Sequence, residues 1–143
     1  MKPILLALCL LGVAIHAGSA QETRAIQIDR TTSKSDLRLA YAFEHKQSGF
    51  QIRLRGTVIE IFRDHVHSRE LQEFVVRLAS GQTLLIVHDK TIGKAVPRLR
   101  LGNRVAVLGQ YRWNDEGGYI VNTTRKADGK KGGWIRRGNK KFE

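Results

Sequence analysis

The stretch FQIRLRGTVIEIFRD, residues 50–64, alternates apolar and polar side chains strictly up to its glycine. Phe50, Ile52 and Leu54 fall on one face of an extended chain, and Gln51, Arg53 and Arg55 fall on the other. This is the period of two that a half-buried strand requires. Past Gly56 the apolar positions move to Ile59 and Ile61, with Glu60 opposed. A strand of about 14 residues with glycine at the phase change predicts a long first strand bent over a bulge.

Downstream, LQEFVVRLASGQTLLIVHDK predicts a hairpin in which Phe74, Val76 and Leu78 return through Ser80 and Gly81 into residues 84–87. An irregular link, TIGKAVPRLRLG, follows, and its Pro97 argues against an interior strand. RVAVLGQYRW reads as the fourth strand, NDEGG as a turn and YIVNTTR as the fifth strand. Upstream, SDLRLAYAFEHKQSG predicts a helix of about three turns, capped by Ser35, with Leu37, Ala40, Tyr41 and Glu44 on one side and Leu39 and Phe43 near it. The fold class is mainly β: a five-stranded barrel of the oligonucleotide/oligosaccharide-binding (OB) kind, preceded by a short N-terminal helix and followed by a basic C-terminal tail. An open sandwich of six strands is the alternative. Phe50, Ile52, Leu54, Phe74, Val76, Leu78, Leu84, Ile86, Val105 and Val107 supply a core, so the barrel is expected to fold without that tail.

At the N-terminus, Lys2 precedes an apolar run from Ile4 to Ile15, and the small residues Ala17, Gly18, Ser19 and Ala20 follow. Residues 1–20 are expected to be a secretory signal peptide. The apolar run is about half the roughly 20 residues needed to span a bilayer, so no transmembrane segment is expected after cleavage. Residues 21–34 are polar and expected to be flexible, 35–125 to hold the helix and barrel, and 126–143 to form the tail. Cleavage after Ala20 removes Cys9, the one cysteine of the sequence, and leaves a chain without disulfides for the periplasm or the exterior. Thiol redox chemistry and cysteine-ligated metals are thereby excluded from the mature chain.

The formal charge is +12, and the stretch RKADGKKGGWIRRGNKKFE, residues 125–143, carries eight cations against two acids. Charge concentrated in this way builds a field that attracts polyanions rather than serving solubility alone. The expected partner is nucleic acid, DNA first, held through phosphates with little sequence preference. Lipopolysaccharide or anionic lipid of the cell envelope is another polyanion that the same charge would attract.

The candidate ligand residues follow from position. Arg53 and Arg55 share the outward face of the first strand, while Arg77 and Arg112 project from the second and fourth. Trp113 ends the fourth strand, and Arg125 and Lys126 lie at the barrel edge. The tail adds Lys130, Lys131, Trp134, Arg136, Arg137, Lys140 and Lys141. The usual OB groove crosses the second and third strands, flanked by the loops between strands one and two and between four and five. Here those loops, DHVHSRE and NDEGG, are mixed or acidic and lack aromatic residues, which disfavours that surface.

An enzyme is the runner-up. DHVHSRE places Asp64, His65, His67 and Glu70 within one short segment, and His65 and His67 would point to the same side of an extended strand. With His88 and Asp89 they would suit a metal-dependent phosphodiesterase or nuclease. The same residues equally suit a solvated loop, and no cofactor is required by anything else in the chain.

SGQTLLIVHDK, LGNRVAVLGQYRWNDEGGYI and GGWIRRGNKKF together resemble an uncharacterised family of small exported bacterial domains, a domain of unknown function, over residues 49–142. The resemblance implies an OB-like barrel and export, with no established activity. It also implies histidines opening the second strand, ending the third beside an asparagine, and crowding the stretch after the fifth. Here the matching positions hold Leu71 or Gln72, then His88 with Asp89, then residues 122–131 with no histidine. Lysine and arginine stand in place of most of that set, a departure that favours binding over chemistry.

Overall fold

The computed structural model describes residues 32–63, 70–126 and 132–143. The expected signal peptide, nearly all of residues 21–34, and His65, His67, Lys130 and Lys131 lie outside the described residues.

β1 (Phe50–Ile61) changes partner along its length. It pairs antiparallel with β4 (Arg104–Arg112) from Phe50 to Thr57 and with β2 (Leu71–Arg77) from Thr57 onward. Gly56 sits at the crossover, where a Cβ would stand 3.0 Å from both the Arg77 carbonyl oxygen and Val76 Cβ. Contrary to expectation, the apolar phase does not change there. Val58 stays buried with Ile52 and Leu54, and the register slips between Val58 and Glu60, making Ile59 the extra residue. The bulge is set by the handover to β2 rather than by the glycine, and it leaves Ile61 36 % exposed.

β2 and β3 (Thr83–Asp89) form the expected hairpin, and β3 then runs parallel to β5 (Tyr119–Val121), which returns antiparallel to β4. The ring β1-β2-β3-β5-β4-β1 closes a five-stranded OB-like barrel. The link from β3 to β4, residues 90–103, joins two strands that are not neighbours in the barrel and consists of turns without a helix. Side chains hold that connection in place. Gln72 donates to and accepts from the backbone of the buried Val96, and Arg137 donates to the Pro97 carbonyl.

The basic C-terminal segment, expected as a tail, carries two further strands, β6 (Trp134–Arg137) and β7 (Lys140–Phe142). β5 covers β4 only from Gln110 to Arg112, so the same edge lies open from Val105 to Leu108, and β6 pairs there. Gly133 admits the chain: a Cβ would stand 2.2 Å from the carbonyl oxygens of both Leu108 and Asn122. Ile135 is fully buried and Phe142 nearly so, and both join the core. The expected core residues are all inside, Phe50 partly, but the core also needs Val58, Val96, Tyr111, Ile120, Ile135 and Phe142.

The helix α1 (Lys34–Glu44) is capped by Ser33 rather than Ser35. Ser33 is three residues ahead of Asp36, so its hydroxyl can accept from the Asp36 amide (3.1 Å) and donate to the Asp36 carboxylate (2.6 Å). Its buried side is Asp36, Leu39 and Ala42, while Leu37 and Tyr41 face solvent at 49 % and 53 % exposure. Trp113 fastens the helix to the barrel, its indole donating to the Phe43 carbonyl (3.0 Å).

Candidate anion-binding groove

Alternation along β1 and β4 turns Arg53, Arg55 and Arg104 away from the core, and pairing brings the neighbouring strands' outward residues beside them. Thr57 lies opposite Arg77 of β2 on one side and Arg104 of β4 on the other. Ala106 lies opposite Arg55 of β1 on one side and Arg136 of β6 on the other. Cations therefore alternate with small residues across the sheet, so no two of these arginines face each other directly, an arrangement that would be destabilising.

The result is a groove of about 820 Å³ whose walls are Arg53, Arg55, Arg77, Arg104 and Arg136 and whose floor includes Thr57, Ala79, Ala106 and Gly138. All five arginines are exposed, and none of the lining residues is acidic. Trp134 stands at one end, half-buried opposite Leu108, with the Arg53 and Arg136 guanidinium carbons 5.3 and 5.4 Å from its ring centre. These contacts restrain two long side chains and hold their charge towards the groove.

Of the sequence-predicted cations, Arg53, Arg55, Arg77 and Arg136 converge here. Arg112 does not: it is at the far end of β4, where it donates to Gln110 (3.2 Å). Arg137 is spent on the Pro97 carbonyl, and Lys141 is paired with Glu143 at 2.6 Å, which holds that carboxyl below the usual range. Lys141 still reaches 6.0 Å from the Trp134 ring centre. Arg125, Lys126 and Lys140 are exposed but line no part of the groove. Trp113 serves the helix, stacked at 6.5 Å on Phe43, and stands away from the groove. Arg104 was missed by sequence reasoning, although it opens RVAVLGQYRW in phase with Ala106, and that alternation was a sufficient signal.

Of the candidate cluster His65, His67 and His88, only His88 lies among the described residues. His88 is fully buried on β3, its Nε2 donating to the Lys94 carbonyl (3.0 Å) and its Nδ1 hydrogen-bonded to the Thr123 hydroxyl (2.8 Å). Burial pushes its pKa down and favours the neutral ring. The Asp89 carboxylate does not orient it, accepting instead from the amide (2.8 Å) and hydroxyl (2.6 Å) of Thr91. No group of three or more potential metal ligands occurs among the described residues.

A family model described as "Protein of unknown function (DUF3465)" matches residues 23–143, a span that includes every segment carrying the family resemblance. No curated protein matches the chain.

Proposed function

We propose that this chain, which belongs to the DUF3465 family of proteins of unknown function, is an exported binding module for polyanions, with nucleic acid as its ligand. One observation carries the reading: four strands direct five arginines, and no acid, into one groove. Five guanidiniums held on strands supply fixed counter-charges for phosphates, and phosphate contacts are indifferent to base sequence. Export is supported by the Lys2 and Ile4-to-Ile15 pattern of the leader.

The test is a titration of single-stranded DNA, duplex DNA, RNA and lipopolysaccharide at several salt concentrations, with and without chelator. Five phosphate contacts on a single strand correspond to a log-log salt slope of about −3.5. The proposal is refuted if none of these polyanions binds at about 0.05 M salt, where such contacts are strong. Chelator-sensitive cleavage of the strands would favour the phosphodiesterase instead.

A further inference from the structure

The groove has an internal pattern that a diffuse basic patch lacks. Thr57 is flanked across the sheet by Arg77 and Arg104, with Arg55 two residues back along β1. Ala106 is flanked by Arg55 and Arg136, with Arg104 two residues back along β4. Each small residue is thus the floor of a seat between three arginines, and Arg55 and Arg104 belong to both seats. Thr57 and Ala106 are diagonal neighbours on adjacent strands, which places the seats about 7–8 Å apart. That is the order of separation between neighbouring phosphates along an extended sugar-phosphate chain.

Width selects further. Arg77 and Arg104, or Arg55 and Arg136, are two strand spacings apart, so the walls of each seat stand about 9–10 Å from one another at the backbone. A duplex, whose major groove alone is about 12 Å wide, is too broad to enter. A single strand is not. At the end of the groove the ring of Trp134 fixes Arg53 and Arg136 and continues the track beyond the Ala106 seat.

We infer that the groove holds two successive phosphates of a single-stranded nucleic acid, one over Thr57 and one over Ala106, and that it selects single strands over duplex. The inference rests on the polyanion reading above and adds strand type and register to it. Thr57 and Ala106 matter here because they are small and face outward: filling either seat changes no charge.

The experiment is fluorescence anisotropy of a labelled oligothymidylate of about ten nucleotides with the full chain, against a duplex of equal length and lipopolysaccharide vesicles. Ala106→Leu and Thr57→Leu close one seat each. Arg55→Gln removes a cation common to both seats, and Arg112→Gln removes an equal charge from the same sheet outside the groove. Circular dichroism melting checks that each variant is folded. The expected results are single-strand binding at least about tenfold tighter than duplex, a loss of about tenfold on closing either seat, and a larger loss for Arg55→Gln than for Arg112→Gln. Equal binding of duplex and single strand, tighter binding of the vesicles, or parental affinity in both folded leucine variants overturns the inference while leaving polyanion binding intact. Binding of no polyanion overturns both.

Discussion

The barrel has two outer faces built on the same alternation and opposite in chemistry. On the face of β1, β4 and β6, Arg53, Arg55, Arg104 and Arg136 stand outward around the small residues Thr57 and Ala106. On the face of β2, β3 and β5, Val75, Leu85 and Tyr119 line up across the strands as half-buried side chains, with Val87 beside them. The second face includes the two strands that OB domains commonly present to oligonucleotides, yet its one cation in the groove is Arg77, at its border with β1. A shared fold therefore does not by itself locate a site; the placement of charge is what distinguishes the two faces. The added strand β6 enlarges the basic face. It widens the sheet beside β4 and brings Trp134 and Arg136 next to β1's arginines, which five strands alone would not do.

The largest test of that comparison is to delete residues 126–143. Ile135 is fully buried and pairs with both Val107 and Phe142 across strands. Cutting a buried isoleucine to alanine costs about 2–5 kcal/mol and a buried phenylalanine about 3–5 kcal/mol. Loss of both, together with β6, is expected to abolish cooperative melting followed by circular dichroism. A truncated chain that melts like the parent would return the segment to the status of a tail, and the difference between the faces would no longer depend on it.

Next in size is charge removal. Changing Arg53, Arg55, Arg77, Arg104 and Arg136 to glutamine should bring the salt slope from about −3.5 towards zero and weaken single-strand binding about 100-fold at low salt. Leu85→Gln and Val87→Gln on the other face should leave both quantities unchanged. If the ligand instead protects Leu85, Val87 and Tyr119 from hydrogen exchange, the assignment of faces is reversed.

Trp134 gives a smaller effect with two distinguishable sizes. If it only steadies Arg53 and Arg136, Trp134→Ala should cost about 0.5–1 kcal/mol of binding for each lost contact, equally for all polyanions. A loss of about 1–3 kcal/mol confined to single strands would show a base stacked on the indole. Isothermal calorimetry against an oligonucleotide and a sulfated polysaccharide separates the two.

The smallest effect concerns the interior beneath the apolar face. Burial lowers the pKa of His88 from its ordinary value of 6.5, so the unfolded chain takes up the proton first. Stability is whole above about pH 6.5 and declines as pH falls below it, by at most about 1.4 kcal/mol per pH unit. Urea unfolding at several pH values should show this slope in the parent and lose it in His88→Gln. A parent stability that stays flat below pH 6.5 would mean that His88 keeps its proton affinity despite burial.

Much of the fold was legible because period and punctuation are local. The alternation of Phe50, Ile52 and Leu54 with Gln51, Arg53 and Arg55 fixed the inner and outer faces of β1, and the turns at Ser80–Gly81 and around NDEGG delimited the hairpins. The outward aim of Arg53, Arg55 and Arg77 followed from that same alternation. What the chain could not announce was which edges remain open. WIRR and KKF are short, cationic and carry one inward apolar residue each, so nothing in them outweighs the look of a solvated tail. They become strands because β5 is only three residues long and leaves half of one edge of β4 unpaired. Backbone groups there need partners, and Ile135 needs cover, and β6 supplies both. The convergence of Arg104 and Arg136 on Arg55 and Arg77 is a consequence of register between strands far apart in the chain. Local pattern decides which way a side chain points, whereas long-range pairing decides what it points beside.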